Sequence, residues 1–280
     1  MSSDKERAFV AACIQFDVKR GDAAANLQAA EAGLRAAAGH DARLAVLPEM
    51  WTLSFLPDAS PEALQASAAA EQRLAELSRE LGMVVVGSAP FAADDGVFNR
   101  AVVYDHGEAI GEYRKIHLFS PNAEHRLHEP GDRPLVVDSS LGRMGVVICY
   151  DIRFPELMRY FFYKSAEFIV VPAQWPEARS SHWRILLKAR AVENELFMIG
   201  CNRTGVEESL KNEDQLVFPG DSRIVDPMGE VIGSGSGASE PVLAEIQLRK
   251  VRTMRRIMPI AKDGRPPLYR TIWQELWHDS

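Results

Sequence analysis

Short apolar runs of β-type residues alternate with amphipathic helical stretches along almost the whole chain, and this interleaving constrains the fold more than any other feature. Phe9 to Phe16 (FVAACIQF) reads as a strand, and Ala24 to Ala38, with Leu27, Ala30 and Leu34 on one face, reads as a helix. Ala42 to Leu47 is the next buried strand and stops at Pro48. Pro61 opens a helix with Leu74, Leu77 and Leu81 toward a core, ended by Gly82, and Met83 to Ser88 is again a strand. Ala101 to Tyr104 and Ala109 to Tyr113 flank His106-Gly107 in a hairpin pattern. A strand follows at Met144 to Ile148, then a helix opened by Pro155 and running through Lys164, then a strand at Phe168 to Val171. A helix from Ser181 to Leu196 and strands at Met198 to Cys201, Ser222 to Val225 and Val242 to Ile246 complete the set. Strands that alternate with helices bury their apolar faces in sheets covered by helices, so the class is α/β. No repeat, linker or composition break divides the chain. A single domain is expected, with its core at residues 8–246 and a tail at 247–280.

At 280 residues, 46% of them hydrophobic, the chain can bury a sizeable core without disulfides. Its 32 basic and 39 acidic side chains leave a net charge of −7 with no long block of one sign. A nucleic-acid or other polyanion partner is therefore not expected, because phosphate binding needs a basic face. No apolar run approaches the roughly 18 residues of a membrane span, and Met1 to Arg7 lacks the apolar core of a secretion signal. The three cysteines, Cys13, Cys149 and Cys201, are odd in number and widely spaced, which fits neither a disulfide framework nor a CxxC metal site. A reducing, cytoplasmic compartment is expected. Composition does not tell a working thiol from three small buried hydrophobes.

Position separates them further. Glu49 follows the strand that ends at Leu47, Lys115 follows Gly111-Glu112-Tyr113-Arg114, and Cys149 follows Gly145-Val146-Val147-Ile148. In α/β sheets, ligand sites form outside the carboxyl ends of strands, so these three can converge. A thiol at the exit of a buried strand, just before a turn and a helix, is presented outward, and the backbone N–H groups after it can bind an oxyanion. No His lies in the local motif. A carboxylate to accept the proton and a lysine to stabilise charge are what thiol attack would then need. Taken singly, each residue also has an ordinary reading: Cys149 as core filler, Glu49 as a strand-end charge, Lys115 as a solvated loop charge.

Three segments decide between these readings: Leu47-Pro48-Glu49-Met50-Trp51, Glu112 to Phe119 (EYRKIHLF) and Gly145 to Glu156 (GVVICYDIRFPE). They resemble, in order, the three signature motifs of the nitrilase (carbon–nitrogen hydrolase) superfamily. The resemblance implies an αββα sandwich that pairs into a homodimer or larger homo-oligomer. It also implies a triad at Glu49, Lys115 and Cys149, with no cofactor and no metal. A further family glutamate matches Glu124, ahead of Pro130-Gly131. In the implied mechanism Glu49 accepts the thiol proton and later activates water. Lys115 and the Tyr150 backbone N–H stabilise the tetrahedral oxyanion, Glu124 orients Lys115 and the substrate, and a thioester forms on Cys149.

Within the superfamily, Gln174 to Trp183 (QWPEARSSHW), Lys188 to Glu195 (KARAVENE), Cys201 to Gly205 (CNRTG) and Gly220 to Pro227 (GDSRIVDP) are similar to bacterial ω-amidases. Those enzymes deaminate 2-oxoglutaramate and 2-oxosuccinamate. The ω-amidase pattern has Gly where this chain has Ser54, which matters if the backbone there takes a positive φ. Such a substrate carries a distal carboxylate that calls for a cation, ideally an arginine, in a mostly apolar pocket. Arg179 is the first candidate and Arg153 the second; for Arg153 an internal ion pair holding the turn is the stronger expectation. Trp175 and Phe55 are candidate apolar walls. Other branches, such as a nitrilase, an N-carbamoyl amidohydrolase or a Nit-type amidase on a modified metabolite, share the same motifs. A silent scaffold would not need all four polar residues.

Two other patterns are set aside. His117, Glu124, His125 and His128 match no zinc spacing and lack soft ligands. Gly233 to Gly237 (GSGSG) superficially suggests a phosphate loop, but Ser239-Glu240-Pro241 follows in place of a helix, and a flexible turn is expected.

Overall fold

The computed structural model describes residues 8–212, 214–237 and 240–277. Its first half runs β1 (Ala8–Cys13), α1 (Ala23–Ala38), β2 (Ala42–Val46), α2 (Pro61–Leu81), β3 (Val84–Ala93), β4 (Gly96–Asp105) and β5 (Glu108–Arg114). Then follow β6 (Leu135–Ser139), β7 (Gly142–Val146), α3 (Pro155–Tyr163), β8 (Phe168–Ala173), α4 (Ser180–Asn194), β9 (Phe197–Asn202) and β10 (Thr204–Glu208). Last come β11 (Gln215–Val225), β12 (Val231–Ser236), β13 (Val242–Gln247), α5 (Arg249–Ile257), α6 (Ile260–Asp263) and α7 (Pro266–Trp277).

The strands form two sheets, each with a parallel centre and antiparallel edges. One is ordered β13-β1-β2-β3-β4-β5; in the other, β10-β11-β9-β8-β7-β6 is joined by β12 on β11. Helices α1 and α2 cover the outer face of the first sheet, where Ala30, Leu34, Leu74 and Leu77 pack on Ala45, Leu47 and Val85. On the second sheet, α3 and α4 bring Phe161, Trp183 and Leu187 against Ile169 and Ile199. The inner faces meet, with Cys13, Val46 and Val86 in one cluster with Val146, Val170 and Cys201. The result is an αββα sandwich in one domain. Each fully buried Val, Leu or Phe in it contributes roughly 1.5–3 kcal/mol.

Local signals set the helix ends. The Asp22 carboxylate accepts from the Ala25 N–H at 2.9 Å, and Ser60 Oγ accepts from the Ala63 N–H at 3.2 Å, capping α1 and α2. Pro61 and Pro155 sit in the first turns of α2 and α3. Gly82 ends α2 at φ +63°, its N–H returning to the Arg79 and Ser78 carbonyls. Helix α4 stops at Asn194 rather than Leu196 because Glu195 turns left-handed at φ +52°.

The Gly233–Gly237 segment corrects an expectation. It is not a turn: Gly233 to Ser236 belong to β12, with Ile224 opposite Gly233 and Ser222 opposite Gly235. Small residues are needed because β12 passes close over β13; a Cβ at Gly233 would lie 2.8 Å from the Leu243 carbonyl oxygen. Ser239, part of the same expectation, lies outside the described residues, as do Met1 to Arg7. Strands β6 and β10 and the first half of β11 are additions to the sequence reading. The tail forms α5 to α7, with Leu268, Ile272 and Trp273 exposed on α7; the side chain of Trp277 is outside the description. Among the described residues no helix is long and apolar enough to cross a membrane.

Candidate active site

Both sheets deliver residues to one end of the sandwich. Glu49 follows β2 and Lys115 follows β5, both of the first sheet; Cys149 follows β7 and Gln174 follows β8, both of the second. The Glu49 N–H reaches the Ala173 carbonyl at 3.4 Å, and Gln174 Nε2 donates to the Glu49 carbonyl at 2.8 Å, tying the two strand ends together. Cys149 opens a 3₁₀ turn, Cys149–Arg153, at φ +45°, a left-handed conformation rare for a residue with a Cβ. The turn places the Tyr150 N–H directly after the sulfur-bearing residue, where the first N–H groups of a helical turn lack intrahelical acceptors.

Lys115 is the hub. Its Nζ lies 2.7 Å from Glu49 Oε1 and 2.7 Å from Glu124 Oε2, with all three side chains at most 2% exposed. Glu124 sits on a short 3₁₀ turn, Glu124–Arg126, and its Oε2 also accepts from the Phe119 N–H at 2.7 Å. Asn99 Nδ2 bridges the carboxylates, at 2.9 Å from Glu49 Oε1 and 3.2 Å from Glu124 Oε1. The remaining Glu49 oxygen, Oε2, accepts from the Gln174 N–H at 3.0 Å, and Cys149 Sγ faces the Gln174 carbonyl at 3.7 Å. The Pro130-Gly131 pair closes the back: the Gly131 N–H donates to the Lys115 carbonyl at 2.8 Å, and a Cβ there would collide with the Arg114 carbonyl oxygen at 2.2 Å.

Burial sets the electrostatics. It raises Glu49 above the ordinary carboxylate range, with the Lys115 charge opposing. Glu124 is pushed up by burial too, but Lys115 and its hydrogen bonds outweigh that and hold it low. Burial works against the Lys115 charge, yet Glu124 and Glu49 overcome it and raise its pKa. Burial, followed by the nearby Glu49 charge, pushes the Cys149 thiol well up, so it rests protonated until its proton is taken. His128, buried beside this cluster, is lowered to about 4 by burial.

Glu49, Lys115, Glu124 and Cys149 line a cavity of about 230 Å³, walled by Phe55, Phe119, Tyr150, Trp175 and Phe218. Arg153 and Arg179 line it as well. The Arg153 guanidinium lies 4.8 Å from the Trp175 ring centroid and 3.2 Å from His182 Nδ1. The internal ion pair expected for it is not found: no carboxylate among the described residues pairs with it. The Arg179 guanidinium lies 5.5 Å from the Phe119 centroid, and its carbonyl accepts from Trp175 Nε1 at 2.8 Å. Trp175 packs on Trp183 at 5.4 Å, and the Phe55 ring centroid is 5.9 Å from Lys115 Nζ. Ser54 has φ +54°, which accounts for a Gly in the ω-amidase pattern; its hydroxyl donates to Glu207 Oε1 at 2.9 Å. His117, Glu124, His125 and His128 form no metal-ligand group among the described residues.

Three polar residues at the site escaped the sequence reading. Gln174 stands directly after β8, which runs two residues past the Val171 end expected from the sequence, so the strand-end rule passed it by. Asp151 lies inside the cysteine segment and is fully buried. Asn99 sits within β4, where nothing in the sequence marks it. Together the cluster is suited to attack by a thiol on a carbonyl carbon: a raised carboxylate can take the thiol proton, and a fixed ammonium can face the oxygen that becomes negative.

Residues 10–256 match the carbon-nitrogen hydrolase family. The chain is 35% identical over 260 residues to 2-oxoglutaramate amidase of Bacillus subtilis, covering 92% of this chain and 98% of that protein. It is 30% identical over 244 residues to the omega-amidase YafV of Escherichia coli K12, covering 87% and 91%. Among solved structures, a carbon-nitrogen hydrolase superfamily protein of Xanthomonas campestris with an arsenic adduct in its active site superposes with a TM-score of 0.81 at 29% identity, covering 92% and 97%. With its αββα sandwich and its strand-end cluster, the chain belongs to the carbon-nitrogen hydrolase family of the nitrilase superfamily and is an enzyme acting on an amide.

Proposed function

We propose that the enzyme is a thiol amidohydrolase that cleaves the ω-amide of a small 2-oxo dicarboxylate monoamide, 2-oxoglutaramate or 2-oxosuccinamate, to the 2-oxo acid and ammonia. The observation that carries this reading is a cavity lined by Glu49, Lys115, Glu124 and Cys149 and by two guanidiniums, Arg153 and Arg179, free of carboxylate partners among the described residues. A site built for an anion presents such cations against apolar walls, here Trp175 and Phe55. The ω-amidase names of similar proteins point the same way.

In this mechanism Glu49 takes the Cys149 proton as sulfur bonds to the amide carbon, and the carbonyl electron pair moves onto oxygen. Lys115 Nζ and the Tyr150 N–H stabilise that oxyanion, while Glu124 holds Lys115 in place. The oxyanion collapses, the C–N bond breaks, and the leaving nitrogen takes the proton from Glu49 and departs as ammonia. Water then loses a proton to Glu49 and attacks the thioester. The second tetrahedral intermediate expels the sulfur, which regains its proton from Glu49, and the carboxylic acid leaves. No step calls for a cofactor.

Ammonia release from a substrate panel tests the assignment, with mass spectrometry for an acyl adduct on Cys149. Turnover of either 2-oxo amide above simple aliphatic amides supports it, and Arg153→Ala or Arg179→Ala should raise KM about tenfold or more. Inert 2-oxo amides together with turnover of a nitrile or an N-carbamoyl compound would reject it. The second reading, another superfamily hydrolase such as a nitrilase, an N-carbamoyl amidohydrolase or a Nit-type amidase, rests on Glu207, a carboxylate at the cavity wall held by Ser54.

The working form is proposed to be a homodimer or larger homo-oligomer, supported by Tyr163, Ile185 and Val192, which lie exposed on the α3 and α4 layer. Sedimentation equilibrium tests it, and a monomer at micromolar concentration would oppose it. Three free cysteines support a reducing, cytoplasmic compartment.

A further inference from the structure

Gln174 touches the proposed proton acceptor and the proposed nucleophile at once. Its N–H donates to Glu49 Oε2 at 3.0 Å, its carbonyl faces Cys149 Sγ at 3.7 Å, and its side-chain Nε2 donates to the Glu49 carbonyl at 2.8 Å. What fixes the side chain in that pose is Arg203, whose Nη1 donates to Gln174 Oε1 at 3.1 Å. An amide whose oxygen is engaged by a guanidinium has only its NH₂ left to offer, so the donation to Glu49 is enforced.

Arg203 is itself immobilised. It is fully buried, and its planar group serves several acceptors: Glu207 Oε2 at 3.0 Å from Nη1, Asp17 Oδ1 at 3.2 Å from Nη2, the Val18 carbonyl, and the Thr204 carbonyl at 3.2 Å from Nε. Its N–H also donates to the Ala173 carbonyl at 3.2 Å, and the neighbouring Asn202 brackets Trp175 through both its N–H and its carbonyl. The segment 173–175 is thus gripped from β9 on its main chain and from Arg203 on its one polar side chain facing Glu49.

We propose that Arg203 is a positioning residue for the hydrolysis, acting through Gln174 to hold the Glu49 carboxylate toward Cys149. The proposal rests on Glu49 as the proton acceptor. A lysine cannot replace Arg203, because a point charge on a flexible stem does not reach the same acceptors in one plane. A base displaced by about 1 Å costs on the order of 10²-fold in rate.

The test is a double-mutant cycle in the full chain with Arg203→Lys and Gln174→Leu, read by kcat, KM and the pH profile of kcat/KM. Each single variant is expected to lower kcat by about 10²-fold with KM within a few-fold, and to move the acid limb to higher pH: once the side chain no longer pins residue 174 to the Glu49 carbonyl, the Gln174 main-chain N–H shifts off Glu49 Oε2 and favours its ionised form less. The double variant is expected to be no worse than the worse single one, because both break the same link. Losses that multiply, or an acid limb that stays in place, would overturn the proposal and leave Arg203 with a purely structural role. If Arg203→Lys does not fold, the same cycle is run with Glu207→Gln, which loosens the guanidinium without removing it. Glu49→Gln separates the two levels: turnover retained there rejects Glu49 as base, whereas a dead Glu49→Gln beside an unaffected Arg203→Lys rejects only the role of Arg203.

Discussion

The Tyr113 hydroxyl donates to the buried Asp151 carboxylate at 2.7 Å, joining the strand that delivers Lys115 to the turn that presents Cys149. The same carboxylate accepts from the His117 N–H and the Ile148 N–H, each at 3.0 Å, and His117 Nδ1 lies 2.8 Å away. Asp151 is therefore the fastener between two segments that come from different sheets. Asp151→Asn replaces one acceptor oxygen with a donor and leaves a buried N–H unmatched. It is expected to destabilise the protein by about 2–3 kcal/mol and to lower kcat. Thermal melts and steady-state rates check this; a fully active variant of parental stability would show that the fastener is dispensable.

Cysteine replacements should divide cleanly. Cys149→Ala should abolish turnover with the fold intact, whereas Cys13→Ala and Cys201→Ala, both far inside the core, should keep activity at a stability cost of about 1 kcal/mol. Because Cys149 has φ +45°, Cys149→Gly should be about 1 kcal/mol more stable than Cys149→Ala. Activity lost in either control while Cys149→Ala still turns over would reassign the nucleophile.

The pH profile carries a sign. Burial raises Glu49, and a protonated Glu49 could not serve as the proposed acceptor of the thiol proton, so kcat/KM should fall as pH drops through that raised value. The acid limb should lie above the ordinary glutamate value of about 4.3. A limb at or below that value in steady-state kinetics would contradict it.

His128 links stability to pH. Burial lowers it to about 4 from its ordinary 6.5, so its contribution is complete above pH 6.5. As pH falls from 6.5 toward 4 the unfolded chain takes up the proton first, and up to roughly 3 kcal/mol is lost. Denaturant midpoints measured at several pH values should show this slope in the parent and a flatter one in His128→Phe. Equal slopes would exclude His128 as the source.

Ser54 combines a strained backbone with useful hydrogen bonds. Ser54→Gly relieves φ +54° but loses the hydroxyl bond to Glu207, two effects of about 1 kcal/mol each that nearly cancel. Ser54→Ala keeps the strain and loses the bond, and should be the less stable of the two. Equal melting temperatures for Gly and Ala would remove the strain argument.

How much of this was legible beforehand follows from what periodicity reports. Apolar runs located the central strands and α1 to α4, because burial of one face leaves a repeat in the sequence. Glu49, Lys115 and Cys149 stood out as polar residues at strand exits, while Glu124 was found only through its motif, since a 3₁₀ turn has no period. Asn99 and Arg203 stayed hidden because their meaning lies in partners from another part of the chain: Asn99 in β4 meets Glu124, and Arg203 after β9 meets Asp17 near the first strand. The glycine-rich β12 reads as a turn for a different reason. Glycine marks both flexibility and close backbone approach, and only the neighbouring β13 tells which applies.

The cluster straddles two sheets, with Glu49 and Lys115 from one and Cys149 and Gln174 from the other. Neither half of the chain owns a site. Cys149 stands near Glu49 and Lys115 only when the inner faces have closed on each other, so the cluster exists only in the assembled sandwich. A molecule whose sheets have not closed holds these side chains apart, and its Cys149 lacks the burial that keeps the thiol protonated.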